Sequence, residues 1–194
     1  MSQPEYAIGL DLGGTRLKAV AVTPVGETLH TLMVPNEPSD AVALIALVRE
    51  TVAKLEAQCG YAARWLGIAA PGIAAADGRT VYWMMGRMAH LQALDWTAQL
   101  GRPVPVINDA QAALVAEVWL GAAKGARNVV LLTLGTGVGG AIICDGHLLR
   151  GALGRAGHLG HITVNPDGPL DIVRTPGSLE HAIGNYSIAE RSLG

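Results

Sequence analysis

The chain has no phenylalanine and only two cysteines among its 194 residues, and only 15% of its residues are charged. Cys59 and Cys144 lie in or beside apolar segments, so we interpret them as reduced thiols of a cytosolic protein. The net charge of −2 and the lack of a basic cluster argue against nucleic-acid or anionic-membrane binding. Every long apolar run is broken by glycine or charge, which predicts neither a signal peptide nor a transmembrane span.

What the chain has in abundance is small and aliphatic residues. Half of its residues are hydrophobic and 25 are glycine. A chain of this length can bury a substantial core, in one lobe or in two, and without phenylalanine that core must consist of leucine, valine, isoleucine and alanine. Many of the glycines lie in turns between apolar runs, and two of these turns indicate a function.

The first of these turns is Asp11-Leu12-Gly13-Gly14-Thr15. Apolar runs on either side predict two strands, with a carboxylate at the end of the first. The glycines can take positive φ and let the backbone approach a bulky anion. The Thr15 hydroxyl and nearby N–H groups could then donate to phosphate, and Asp11 could hold a hydrated Mg²⁺. The same residues are also compatible with a hairpin turn that binds nothing.

A second glycine-rich turn, Gly135-Thr136-Gly137-Val138-Gly139-Gly140, also follows a β-branched apolar run and enters another strand. Two such turns facing each other across a cleft could hold a polyphosphate from both sides. A dinucleotide fingerprint is less consistent with this turn, because that fingerprint places the pyrophosphate at a helix N-terminus.

Between the two turns, an apolar strand ends in Asn108-Asp109 and a helical pattern follows directly. Asp109 therefore stands at a strand end and at the start of a helix. It could cap that helix, or it could act as a general base at the mouth of a cleft.

The remaining periodicity predicts an alternating α/β arrangement. Strands are predicted near 6–11, 16–23, 28–34, 65–70, 128–134 and 139–145, with another strand ending at 108. Helices are predicted at 39–59, 95–100, 109–123 and 178–192. The apolar face predicted for the first helix consists of Val42, Ile45, Val48, Val52 and Leu55. We expect an N-terminal lobe over residues 1–120 and a partial C-terminal lobe over residues 121–194.

Five motifs, in this order, resemble those of the ROK family of sugar kinases and related repressors. They are Asp11-Leu12-Gly13-Gly14-Thr15, Ala70-Pro71-Gly72, Asn108-Asp109-Ala110, the turn at 134–140, and Gly157-His158-Leu159-Gly160-His161. The resemblance implies a ribonuclease-H-like (actin/hexokinase ATPase) fold, in the α/β class. It also implies a cytosolic ATP- and Mg²⁺-dependent kinase that acts on a glucose-like hexose, at the 6-hydroxyl.

Site residues follow from the resemblance position by position. The nucleotide-binding set that it implies is Asp11, Gly13, Gly14, Thr15, Lys18, Gly135, Thr136, Gly137, Gly139 and Gly140, with Mg²⁺ held through water by Asp11. The sugar-binding set is Gly72, Asn108, Asp109, His158, His161 and Glu180. Within that set, Asp109 would take the proton of the attacking hydroxyl.

One departure from the family pattern concerns the sugar. The family motif reads Gly-Glu-x-Gly-His, whereas His158 stands at the glutamate position. A carboxylate accepts hydrogen bonds from two hydroxyls, while a neutral imidazole offers one donor and one acceptor. We therefore expect altered sugar recognition, unless His158 only packs in the interior.

A second departure concerns zinc. Many family members bind zinc through three cysteines and the histidine that corresponds to His161. Here the cysteine positions hold Asp171, Val173 and Ser178. These residues cannot complete a four-ligand site, so we expect no zinc and a His161 that serves the sugar.

The family chain continues past the helix that contains Glu180, with a later glycine-rich element for adenosine and a final helix. We therefore expect a shortened family chain whose uncovered apolar surface favours a homodimer. A catalytically inactive sugar-binding regulator and an incomplete fragment remain alternatives to an active kinase.

Overall fold

The computed structural model describes residues 3–37 and 40–188. Its α-helices are α1 (Ala41–Cys59), α2 (Trp96–Leu100), α3 (Asp109–Trp119) and α4 (Leu179–Ile183), and short 3₁₀ helices span Gly86–Leu91, Leu159–His161 and Asn185–Ser187. The strands are β1 (Ala7–Leu12), β2 (Arg16–Val22), β3 (Thr28–Pro35), β4 (Trp65–Ala70), β5 (Ile73–Ala74), β6 (Val81–Trp83), β7 (Val106–Asn108), β8 (Val129–Leu134), β9 (Val138–Cys144) and β10 (His147–Leu148).

The chain divides into two compact units, Met1–Asp109 and Ala110–Gly194. The division falls at the start of α3, earlier than the predicted boundary at residue 120. The physical reason is that Leu114, in the middle of α3, is fully buried in a core with Ala141 and Ile143 of β9. Helix α3 thus contributes its apolar face to the second unit.

The first unit contains a five-stranded sheet in the order β3-β2-β1-β4-β7. Strands β1, β4 and β7 are parallel, whereas β2 and β3 follow as antiparallel hairpins. In this register Asp11 lies beside Ala69, and Ala70 lies beside Asn108. Because the carboxyl ends of parallel strands meet at one edge, the motifs that follow β1, β4 and β7 gather there.

The core of this unit lies between the sheet and α1. Asp40 caps α1 by accepting a hydrogen bond from the Ala43 N–H at 2.9 Å. The buried face of the helix is centred on Leu44, Val48 and Leu55, whereas Val42, which the periodicity placed inward, is 76% exposed. The predicted helix start at 39 lies outside the described residues.

The second unit contains a three-stranded antiparallel sheet in the order β10-β9-β8. β9 is the central strand and is buried at Val138, Ala141 and Ile143. β8 lies at the edge, and its Val130 and Leu134 are more than 60% exposed.

Most predicted strands are confirmed to within one or two residues, but two helices differ. α3 ends at Trp119 rather than near 123, just before Gly121. The helix predicted for 178–192 is interrupted at Gly184, whose ψ of 150° is extended, and residues 189–194 lie outside the described part. No helix among residues 3–37 and 40–188 has the length and apolar character needed to cross a membrane.

Candidate functional site

The first glycine-rich turn joins β1 to β2, as the sequence predicted, but the expected positive φ is not found. Neither Gly13 nor Gly14 has φ in the left-handed region. A Cβ on Gly13 would lie 2.9 Å from the Arg16 carbonyl oxygen, whereas a Cβ on Gly14 would meet nothing within 4 Å. Gly14 therefore leaves an open position beside the backbone, as a site that admits a bulky anion requires.

A residue that sequence reasoning missed holds this turn in place. The Asn36 side-chain amide donates to the Gly13 carbonyl, and its backbone N–H donates to the Thr15 carbonyl at 2.9 Å. Asn36 is fully buried at the end of β3. No local pattern reveals this role, because the contact spans more than twenty residues and depends on the β2–β3 pairing.

Asp11 and Lys18 face each other across the β1–β2 pair, with 3.5 Å between the Lys18 Nζ and an Asp11 carboxylate oxygen. Both side chains are about half exposed. A carboxylate in this setting fits Mg²⁺, which keeps several waters and needs only one or two protein carboxylates. Among the described residues, no cluster of three or more His, Cys, Asp or Glu side chains could hold a metal by itself.

Asn108, at the end of β7, is held against the loop that follows β4. Its side-chain amide donates to the Gly72 carbonyl at 3.0 Å, and the side chain is buried. Gly72 has φ of +88°, and a Cβ there would lie 2.5 Å from the Trp83 carbonyl oxygen. Gly72 is thus a backbone partner that orients Asn108.

Asp109 is the first residue of α3, and it is exposed. A carboxylate in the first turn of a helix is favoured by the positive end of the helix dipole. Asn108 is the residue that directly precedes this helix. Whether Asp109 acts as a base stays a prediction.

The second glycine-rich turn, Gly135 to Gly137, joins β8 to β9. A Cβ on Gly135 would meet nothing within 4 Å, as at Gly14. A Cβ on Gly137 would lie 2.2 Å from the Glu180 carboxylate, whose Oε2 accepts the Val138 N–H at 2.9 Å. Gly137 therefore provides the space that Glu180 needs, in addition to any contact of this turn with phosphate.

Gly139 and Gly140, which were also predicted to bind nucleotide, lie within β9. A Cβ on Gly139 would lie 2.4 Å from the Thr133 hydroxyl, and one on Gly140 would lie 2.6 Å from the Gly157 carbonyl. The structure accounts for both glycines by packing between neighbouring segments, and a nucleotide contact at either stays a prediction.

His158 and His161 lie on the same turn, three residues apart. His158 Nε2 is buried and, within the described part of the chain, has no hydrogen-bond partner. Burial, reinforced by the nearby His161 and Arg155, lowers the pKa of His158 below its usual value. The ring is therefore neutral at neutral pH and carries an unsatisfied nitrogen.

His161 is paired with a position that the sequence treated only as a missing zinc ligand. Its Nδ1 lies 2.8 Å from Asp171 Oδ2, and the Asp171 side chain is fully buried. Burial opposes the charge of Asp171, but hydrogen bonds from the Thr175 N–H, His161, Ser178 and the Val173 N–H outweigh it and lower the pKa of this carboxyl. Asp171 is therefore ionised at neutral pH.

Each unit thus carries one glycine-rich turn together with polar side chains beside it. A family model described as the ROK family matches residues 7–193. The chain belongs to the ROK family. This confirms the resemblance drawn from the five motifs.

Solved structures of the ROK family confirm the predicted actin/hexokinase fold. The chain is 30% identical to a ROK hexokinase from Thermus thermophilus, with a TM-score of 0.83 over 96% of this chain and 63% of that one. It is 34% identical to a ROK glucokinase from Streptomyces griseus in complex with glucose and AMPPNP, with a TM-score of 0.80 over 95% of this chain and 59% of that one.

Two curated relatives of the chain are glucokinases. The chain is 35% identical to a glucokinase from Halalkalibacterium halodurans, over 95% of this chain and 58% of that protein. It is 36% identical to a glucokinase from Thermotoga maritima, over 96% of this chain and 59% of that protein. The chain thus spans somewhat more than half the length of these relatives.

Proposed function

We propose that the chain is an ATP- and Mg²⁺-dependent sugar kinase that transfers the γ-phosphoryl group to the 6-hydroxyl of a glucose-like hexose. The observation that carries the proposal is the gathering of Asp11, Gly72 and Asn108 at the carboxyl edge of β1, β4 and β7. Two inter-strand spacings, about 10 Å in all, separate β1 from β7. The ROK glucokinases to which the chain is similar support sugar phosphorylation as the chemistry.

At the sugar end of this edge, Asn108 and Asp109 have separate roles. Asn108 is buried and fixed by Gly72, so it can hold a sugar hydroxyl in one orientation. Asp109 is exposed at the adjacent helix start, where its carboxylate can accept the proton of the 6-hydroxyl as the oxygen attacks phosphorus. The bond from phosphorus to the bridging oxygen breaks in the same step, and ADP leaves.

For the phosphates, each unit offers one open glycine position. Gly14 and Gly135 leave room for phosphate oxygens to approach backbone N–H groups. Asp11 would hold Mg²⁺ through water, and the cation would neutralise charge on the phosphates. Phosphoryl transfer passes through a loose transition state, so this positioning and neutralisation supply most of the catalysis.

Within the second unit, we propose His161, Glu180 and His158 as sugar-binding residues. His158 replaces a carboxylate of the family pattern, and a neutral imidazole offers one donor and one acceptor where a carboxylate accepts from two hydroxyls. We therefore propose that recognition of the sugar here differs from that of the glutamate-containing relatives. We also propose that the protein is cytosolic and forms a homodimer.

The test is to incubate the 194-residue chain with glucose, Mg²⁺ and γ-labelled ATP and to identify the labelled product. We expect glucose 6-phosphate from the wild-type chain and from Asp167→Asn, a matched change at an exposed aspartate. Asp109→Asn should bind glucose but make product at least about a hundredfold more slowly.

Glucose binding without transfer to any hydroxyl would contradict the kinase and favour the sugar-binding regulator. Product with the label on a hydroxyl other than position 6 would contradict the proposed specificity while leaving the kinase in place.

A further inference from the structure

The segment between His161 and Ser178 folds back on itself without a metal. The Val164 and Asn165 N–H groups both donate to the Gly177 carbonyl, at 2.9 and 3.1 Å. Thr163 also forms a β-bridge with Ser178. This closure brings positions 171 and 178 next to His161, although they are ten and seventeen residues away in sequence.

Asp171 is the centre of this segment. Its Oδ1 accepts the Val173 N–H at 3.0 Å and the Thr175 N–H at 2.8 Å, while Oδ2 faces His161 Nδ1. The Ser178 side chain hydrogen-bonds to the same carboxylate. One buried carboxylate thus ties together the loop and the histidine that precedes it.

Zinc does not fit between these residues. Val173 has no donor atom at its position, and Asp171 Oδ1 already accepts two backbone N–H groups. Nitrogen and oxygen ligands of a tetrahedral zinc ion lie about 3.4 Å apart, because each bond is about 2.1 Å long. His161 Nδ1 and Asp171 Oδ2 are only 2.8 Å apart, which is the distance of a direct hydrogen bond.

The direct bond fixes the imidazole tautomer. Ionised Asp171 has no hydrogen to donate, so Nδ1 of His161 must carry the hydrogen of the bond. In the neutral ring Nε2 is then the bare nitrogen and an acceptor. The His161 side chain is 22% exposed, so part of the ring is open to a ligand.

We propose that Asp171 is the positioning residue of His161: in place of a metal, it holds the Nδ1–H so that Nε2 accepts a hydrogen bond from a sugar hydroxyl. This inference rests on the proposed function for its ligand, but the hydrogen-bond arrangement exists without one. Asp171 also connects His161 to α4, because Ser178 accepts the His181 N–H at 3.2 Å and so caps the helix that carries Glu180.

Asp171→Asn provides a sharp test because it should reverse the tautomer with little change in shape. The two backbone N–H groups at Oδ1 require the asparagine oxygen there, so the amide NH₂ must face His161. Nδ1 must then accept, and the ring hydrogen moves to Nε2. A sugar hydroxyl would meet a donor where the wild-type chain offers an acceptor.

The experiment uses ¹⁵N NMR of the histidine rings in the wild-type chain, in Asp171→Asn and in Asp167→Asn, an exposed aspartate in the same loop. His161→Gln assigns the signals. We expect a protonated Nδ1 and a bare Nε2 in the wild-type chain and in Asp167→Asn, and the reverse in Asp171→Asn. Glucose should bind Asp171→Asn about tenfold more weakly, with turnover at saturation little changed, because the contact exists before and during transfer.

A wild-type His161 protonated on Nε2 would overturn the proposal, whatever happens to glucose. If Asp171→Asn does not fold, titrating the wild-type chain with glucose tests the proposal. Saturating glucose should shift the Nε2 resonance of His161 and leave Nδ1 protonated. An unchanged Nε2 resonance would overturn the proposal. A wild-type chain that binds no glucose refutes the proposed function, whereas the tautomer, read in the free protein, still reports on Asp171 and His161 alone.

Discussion

The Glu180 carboxylate accepts the backbone N–H of Val138 at 2.9 Å, so a residue of α4 is bonded to the glycine-rich turn that opens β9. Gly137, directly before Val138, has no side chain to displace this carboxylate. Within the second unit, a residue assigned to the sugar therefore also shapes the turn assigned to the phosphates. A shift of Glu180 would therefore also shift this turn, and a shift of the turn would displace Glu180.

Glu180→Ala should accordingly destabilise the chain by about 1–3 kcal/mol, because the Val138 N–H loses its charged acceptor. Glu180→Gln keeps an oxygen at that place and should cost less than half as much. Urea denaturation of both variants measures the difference, with the exposed Glu27→Gln as control. Equal losses in the two Glu180 variants would contradict a structural role for this hydrogen bond.

Gly14 and Gly72 should respond to alanine in opposite ways. Gly72→Ala places a side chain at φ of +88° and against the Trp83 carbonyl, so we expect a loss of about 1–3 kcal/mol in unfolding free energy. Gly14→Ala fills open space and should change stability by less than about 0.5 kcal/mol, yet weaken ATP binding. Thermal unfolding and calorimetric titration with ATP measure the two effects. ATP affinity unchanged in Gly14→Ala would argue for a hairpin that binds no phosphate.

Asp109→Asn distinguishes a catalytic base from a residue that only stabilises the first turn of α3. Asparagine keeps the size and polarity at the first turn of α3, so unfolding free energy should change by no more than about 1 kcal/mol. Turnover should fall about a hundredfold or more, because the amide cannot take the proton. Initial rates and melting temperatures of the same preparations give both quantities. Intact turnover in Asp109→Asn, together with unfolding of Asp109→Ala, would leave Asp109 with a purely structural role.

His158 should make stability depend on pH below about 6.5. Its pKa is lowered in the folded chain, so between that lowered value and the unfolded value of about 6.5 the unfolded state binds more protons. The stabilisation is therefore complete above about pH 6.5 and is lost as pH falls through this window. Arg155 and His161, the charged or titratable groups that act on His158, disfavour its protonation in the same direction.

The measurement is urea denaturation of the wild-type chain and of His158→Gln from pH 5 to 8. The variant should lose the part of the pH slope that His158 causes, while His147→Gln, at an exposed histidine, should retain it. Identical slopes in wild type and His158→Gln would mean that His158 titrates normally. Glucose affinity should change with pH in the same lowered range, below the unperturbed histidine pKa of about 6.5.

The strand pattern and the order of the motifs were accessible from local sequence, because alternating burial and glycine-rich turns leave a signal within a few residues. The helices predicted for 109–123 and 178–192 were longer than the observed ones, because the apolar spacing continues past Gly121 and Gly184, which interrupt the helices. The predicted apolar face of α1 includes Val42, whereas the buried face includes Leu44 instead. Val42 fits the apolar spacing as well as Leu44 does, and only packing against the sheet distinguishes them.

Three functional details have no local signal. Asn36 reaches the Gly13 carbonyl only because β2 and β3 pair. Glu180 reaches Val138 only because α4 folds back over the second turn. Asp171 was recognised only as a residue that could not complete a zinc site, because its real partner becomes visible when the loop closes.

The sequence by itself determined the family, the strands and the motifs that follow them, since these depend on short motifs and on side-chain alternation. Tertiary structure decided which of those residues border open space and which pack against or hydrogen-bond to their neighbours. Gly139 and Gly140 lie in tight contacts, Gly14 leaves space, and Asp171 hydrogen-bonds to His161. Each of these roles depends on distances between segments far apart in the chain, and such distances exist only once the chain has folded.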